Sequence, residues 1–307
     1  MNQHRIARLI ACFASVGFLA LPACLLAQTG TTPAPAQKQA APTTAKKKTT
    51  AKLAAPKPLE LEPKAVEILK AAGARLASAH TLSFTATETF ESLSRQGVPL
   101  VYANKSEVIL QRPNKLRVLQ GGDGPASEFY YDGKMMMAYA PAENIVAIAD
   151  APPSVDKTLE AIYHSADIYF PFTDLIVADP YGDLAPTLQH VYYVGESNVV
   201  GGVTTDIVAV AGDGIFMQLW IGAEDKLPRA VHAIYLSDPD LLRHNLQLSD
   251  WHIDSAVSDD VFTSAKASSA KKVDFARPHP EPPPGARPAK SAAPKKSPSI
   301  STPPPSK

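Results

Sequence analysis

The sequence predicts an α+β domain: a strongly curved antiparallel sheet of about eleven strands with helices over one face. Three observations carry that reading. Runs of strand length with period-two alternation recur from residue 81 to residue 250, separated by Gly, Pro, Asn and Asp. Helical spacing occurs in two places, near 63–80 and 154–178. About 218 residues lie between two Pro- and Lys-rich ends, enough for one hydrophobic core.

The first element is a helix from Pro63, with Val66, Leu69, Ala72 and Leu76 on one face and an end by His80; Glu60, Glu62 and Glu67 lie near its positive end. Strand character begins at once. Leu82, Phe84, Ala86, Glu88 and Phe90 alternate with Thr81, Ser83, Thr85, Thr87 and Thr89. Leu100–Gln111, Lys115–Gln120, Ser127–Tyr131, Lys134–Tyr139 and Asn144–Ala149 continue a six-strand meander, with Asp132-Gly133 the strongest hairpin signal. A helix over 154–165 follows, where Ser154 suits the cap and Asp156 the first turn. A shorter helix spans 173–178, before the turn Asp179-Pro180-Tyr181-Gly182. Strands then resume over 191–196, 203–210, 216–222, 230–236 and 245–250, with no repeat at a fixed period.

The ends speak to compartment. Arg5 and Arg8 precede an apolar run from Leu9 to Ala23 that is too short to cross about 30 Å of hydrocarbon comfortably, so residues 1–27 read as a secretory signal and the mature chain is expected to have no transmembrane span. Two processing routes stay open: cleavage after Ala27 gives a soluble periplasmic protein, and lipidation at Cys24 gives an outer-membrane lipoprotein. Both cysteines fall within the first 24 residues, so the domain has no disulfide, thiol nucleophile or thiolate metal site. Residues 28–58 carry six Lys and no acid and read as a disordered Ala/Pro/Thr/Lys linker; residues 277–307 read as a disordered Pro/Ala/Lys tail. An anionic envelope polymer is the partner such basic arms would take, although plain solvated spacers have the same composition. Residues 59–276 hold 16 basic and 29 acidic side chains, a net charge of −13 that disfavours nucleic acid as a partner.

Catalytic signatures are absent: there is no G-x-S-x-G, H-E-x-x-H, Walker A or dinucleotide-type glycine turn, and no cofactor is expected. Among the six domain histidines, His80, His164, His190, His232, His244 and His252, only His232 and His244 fall on neighbouring strands where they could meet, and surface positions are the simpler reading. Asp174, Asp179 and Asp183 cluster without the alternation of a calcium loop, so helix capping is the simpler role. More informative are strands apolar on both faces, Ile215–Ile221 and Met135-Met136-Met137 with Tyr139, which need a cover on each side or an apolar guest.

The string Arg112-Pro113-Asn114-Lys115-Leu116-Arg117-Val118, then Phe129-Tyr130-Tyr131-Asp132-Gly133-Lys134, Tyr139-Ala140-Pro141 and Asn144, resembles a family of predicted periplasmic proteins of unknown function, itself similar to the LolA/LolB lipoprotein carriers. Further matches run through Pro171-Phe172-Thr173-Asp174-Leu175, Asp179-Pro180-Tyr181, Leu219-Trp220-Ile221, Leu227-Pro228-Arg229, Ser249-Asp250-Trp251 and Val273-Asp274-Phe275, covering nearly all of residues 64–275. The resemblance implies a LolA-like half-open antiparallel β-barrel closed by helices around an apolar cavity for acyl chains. It also implies that Arg112 holds the helical lid through backbone carbonyls, where a rim cation paired with a carboxylate is the alternative. The segment Val261–Lys266 departs from the wider family's aromatic and paired prolines, which leaves that wall of the cavity open to question.

Together these features predict a non-enzymatic exported carrier or binding protein for a lipid, acyl chain or acylated lipoprotein, driven by apolar burial of about 25 cal/mol per Å². The expected lining is Phe84, Phe90, Leu110, Tyr131, Met135, Met137, Phe216 and Trp220, with Arg112 at the rim. An envelope protein-interaction or sensing module without bound lipid is the alternative on the same fold.

Overall fold

The computed structural model describes residues 60–277. The signal at 1–27 with Cys24, the linker at 28–58 and the tail past Arg277 lie outside the described residues.

One sheet of thirteen strands organises the domain, two more than expected. A first meander runs through β2 (Thr81–Leu93), β3 (Pro99–Gln111), β4 (Lys115–Gly122), β5 (Ser127–Tyr131), β6 (Met135–Ala140) and β7 (Ile145–Asp150). A second runs through β8 (His190–Ser197), β9 (Thr205–Gly212), β10 (Ile215–Gly222), β11 (Pro228–Tyr235) and β12 (Arg243–Ile253). The antiparallel pairing of β12 with β2 joins them, with His244 opposite Phe90 and Leu246 opposite Glu88. The two unexpected strands are short parallel additions at the edges, β1 (Glu60–Leu61) on β8 and β13 (Lys271–Val273) on β7. Neither is long enough to show an alternation, which is why the sequence did not reveal them. With β1 and β13 at opposite ends of the strand order, the sheet is unclosed.

Local chemistry sets the turns. Asp213 and Gly214 both take positive φ, 47° and 79°, as a two-residue turn matching the twist of β9 and β10 requires. The Asp132-Gly133 signal does produce a hairpin: Asp132 Oδ1 accepts from the amides of Lys134 and Met135, both at 2.8 Å. Helix α2 (Val155–Ala166) starts where Ser154 Oγ accepts from Lys157 N at 3.4 Å and stops where Asp167 turns left-handed. Helix α1 (Pro63–Ser78) begins with its proline and buries Ala65, Ile68, Leu69, Ala72, Gly73 and Leu76. Its start is held to β8 by Glu62, whose carboxylate accepts from Tyr193 N at 2.8 Å, and by Lys64 over the Tyr193 ring.

One sheet face, here the inner face, carries four of the five α-helices among the described residues. Over the first meander, α2 and the following loop fill it: Leu159, Ile162, Phe170, Phe172 and Ile176 pack on Phe84, Val108, Leu110, Leu116, Phe129, Tyr131 and Met136. Over β8–β10, α1 buries Leu69 and Ala72 against Val191, Val208, Val210, Leu219 and Ile221. Two short helices, α3 (Thr173–Ile176) and α4 (Pro180–Leu184), stand between these groups. The outer face of β5–β7 has its own cover: Tyr130, Met137, Tyr139 and Val146 lie under α5 (Ala265–Ser269). The doubtful segment Val261–Lys266 therefore belongs to this outer cover, with Phe262 fully buried beneath Lys115, and forms no wall of the cavity described below.

Candidate functional site

A cavity of about 150 Å³ opens where the two inner-face groups fail to meet, between β10–β12 and β2 below and α1, α3 and α4 above. Its floor is Ile215, Met217, Leu219 and Ile221 from β10 with Val231 and Ala233 from β11; Leu69, Ala72 and Leu76 of α1, with Leu175 and Leu184, form the roof. Alternation explains the floor. Cross-strand pairs Ile215–Tyr235, Met217–Ala233 and Leu219–Val231 share a face, so a single register slip would exchange the whole set.

One end of this apolar space is polar. Glu88, only 4% exposed, sits on the inner face of β2 and bonds Asn104 directly across on β3, while its Oε2 has no hydrogen-bond partner. Burial pushes its carboxyl up to about 7, with the Asn104 bond opposing. Tyr169, Asp174, Tyr235 and His244 line the same cavity. Asp174 keeps water-accessible surface, yet the surrounding protein, with Asp183 adding repulsion, pushes its carboxyl up to about 6; the water contact tempers this shift. The Tyr235 phenol is raised by burial first and then by the charges of Asp174 and Glu88, and Tyr169 follows the same pattern. Burial lowers His244, with Asp238 and Glu91 opposing.

Arg112 fixes the roof from beside the cavity. Its Nη1 donates to Ile176 O at 3.2 Å, and its Nη2 to Val177 O at 2.8 Å and Leu76 O at 3.5 Å. One guanidinium thus holds the C-terminal carbonyls of α3 and α1 together, groups a helix end leaves unsatisfied. Asp156 assists by accepting from Ala178 N at 3.1 Å. Gly73 brings α4 onto α1, since an added Cβ there would lie 2.6 Å from Tyr181 Cβ.

The nine residues singled out from the sequence separate into three groups. Phe84, Leu110 and Tyr131 face inward but lie in the filled core under α2. Phe90 faces inward beside the cavity, its ring stacked on His244 at 6.4 Å, and Arg112 holds the roof. Met135, Met137, Phe216 and Trp220 face outward, the reverse of the expected assignment; their inward neighbours are Met136, Met217 and Leu219. Both parities of these strands are apolar, so alternation had no means of choosing. His232 and His244 do not meet, because His232 pairs with Asn245 and His244 with Ala233, placing the two rings on opposite faces. Asp179 does cap, accepting from Gly182 N at 2.9 Å, whereas Asp174 and Asp183 turn to the cavity. Among the described residues no three metal-ligating side chains converge, and no helix is long and apolar enough to cross a membrane.

Residues 65–276 match the family described as predicted periplasmic protein (DUF2092). The chain belongs to that family. A search of curated proteins finds no significant match to this DUF2092 protein. Solved structures with a distant likeness include the MucA/MucB complex of Pseudomonas aeruginosa, 17% identical with a TM-score of 0.40 over 66% of this chain and 62% of that one. LprF of Mycobacterium bovis is 17% identical, with a TM-score of 0.41 over 65% of this chain and 97% of that one. The LolA superfamily protein NE2245 of Nitrosomonas europaea is 10% identical, with a TM-score of 0.28 over 65% and 97%. The DUF2092 chain thus spans just over three fifths of the MucB chain it matches.

Proposed function

We infer that this protein is a non-enzymatic periplasmic binding or carrier protein for a ligand with an apolar body, built as a LolA-like half-open barrel. The observation that carries the reading is the cavity: apolar floor and roof, with the ends of the roof helices tied by hydrogen bonds to Arg112 in addition to their core contacts. At about 150 Å³ it has room for a group the size of benzene, so an acyl chain requires the roof to lift. Lifting residues 168–177 would remove Phe172 from its edge contact with Phe84 at 5.5 Å and extend the apolar wall toward Phe84, Leu110 and Tyr131. In this reading residues 1–27 export the chain, with cleavage after Ala27 or lipidation at Cys24, and the basic segments 28–58 and 277–307 are spacers that can meet anionic envelope polymers.

The test is native mass spectrometry with solvent extraction on the full chain purified from the periplasm of a bacterial host. A stoichiometric lipid-like adduct, lost in Met217→Gln, is the expected result. A clean mass together with no uptake of a fluorescent apolar probe would overturn it. That outcome favours the second reading, a protein-interaction module, for which the outer face offers half-buried Phe216 and Trp220 near Tyr192, 44% exposed.

A further inference from the structure

We propose that the polar end of the cavity receives a protonated amine, so that the ligand is a cationic amphiphile, with Glu88 and Asp174 as the groups that hold its head. This deepens the carrier reading and rests on it.

The lining itself sets the charge preference. Three carboxylates, Glu88, Asp174 and Asp183, line the cavity, and among the described residues that line it none is Lys or Arg. A carboxylate or phosphate head would meet like charge with no Lys or Arg in the lining to offset it, and beside the buried Glu88 the lower dielectric strengthens the repulsion. A neutral hydroxyl head can donate one hydrogen bond to Glu88 but brings no charge to offset the carboxylates. A primary ammonium carries three donors and no acceptor, matching what is missing: the buried Glu88 Oε2 has no partner and lines the cavity. Tyr169 and Tyr235 stand in the same lining. A charge-assisted bond to a buried acceptor is stronger than its neutral counterpart, which turns the orphaned oxygen from a penalty into an anchor. The surrounding field acts in the same sense, since the −13 charge of residues 59–276 raises the local concentration of cations and lowers that of anions. Glu88 reaches this place through the pleat: it occupies the inward position between Ala86 and Phe90, opposite Leu246 on β12 and Asn104 on β3.

Three probes with one tail separate the head groups: octylamine, octanol and octanoate, titrated into the full-length protein at neutral pH by calorimetry. Octylamine is expected to bind about tenfold or more tightly than octanol, with octanoate weakest. Glu88→Gln is expected to bring the amine-to-alcohol ratio close to one, and Asp174→Asn to lower it, which serves if the first variant folds poorly. Glu107→Gln on the exposed surface is expected to leave the ratio unchanged. Octanol binding as well as octylamine, or octanoate preferred, overturns the proposal while leaving the carrier reading standing. An amine preference that survives both cavity substitutions is adsorption to the acidic surface and also overturns it. No uptake of any probe overturns the carrier reading and the proposal together.

Discussion

Glu88 shows how one side chain converts position into pH dependence. Its carboxyl is raised from an ordinary value of 4.5 to about 7, so the folded state holds the proton more tightly than the unfolded chain. Below the unfolded value both states are protonated and nothing is lost. Between pH 4.5 and 7 the penalty grows, and above 7 it is complete, with an upper bound of about 3 kcal/mol. Glu88→Gln should therefore stabilise the apo protein at pH 8, with the gain vanishing at pH 4; chemical denaturation of both forms at the two pH values checks this. The groups facing Glu88, namely Asp174, Tyr169, Tyr235 and His244, are common to both proteins and drop out of the comparison. An equal gain at both pH values would place the effect in packing instead. The signal for this residue was present in the chain, since Glu88 is the one charged member of the run Leu82, Phe84, Ala86, Glu88, Phe90, yet alternation marks only that it points inward. That its Oε2 is left unpaired depends on how β12 and the roof pack around it, and Leu246, opposite Glu88 on β12, is 158 positions away in the chain.

At the scale of elements, local rules served well wherever the determinant was local. Ser154 capping α2, the two-residue turn at Asp213-Gly214 and the first meander all follow from short-range chemistry. They served poorly where both faces of a strand are apolar, as in β6 and β10, because the covering elements, α5 for one and α1 with α4 for the other, come from distant sequence. Asp174 was legible only as a capping residue for the same reason. The roof offers an element-scale prediction. Gly73→Ala places a methyl 2.6 Å from Tyr181 Cβ and 3.0 Å from Tyr181 N, a backbone atom, so α4 must move off α1. Overpacking of this kind costs about 1–3 kcal/mol, and the better helix propensity of alanine returns about 1. The expected outcome is a small net loss of stability with faster amide exchange confined to residues 173–188, measured by hydrogen–deuterium exchange. Unchanged exchange there would show that Tyr181 accommodates the methyl without opening the roof.

For the molecule as a whole, the inner face is finished in two separate ways, by a solid core over the first meander and by a partly hollow one over the second. The join between them is the β12–β2 ladder, irregular between Ser249 and His252, where Trp251 swings inward to lie 4.5 Å from Phe84 and donates its indole N–H to Pro228 O at 2.9 Å. Trp251 thereby ties the two meanders together beside the cavity.

The edge strands have a consequence of their own. An unclosed sheet ends in rows of backbone donors and acceptors that will template another chain unless something occupies them. Here β1 and β13, of two and three residues, are those occupants, and both lie where the described chain meets its basic arms. Removal of residues 271–277 should leave the folded β7 edge bare and increase concentration-dependent self-association relative to the intact chain, as light scattering would record. The strands at the domain's margins are thus expected to act as plugs against polymerisation, and proteolytic trimming that reaches past the arms into them is expected to expose a template for self-association.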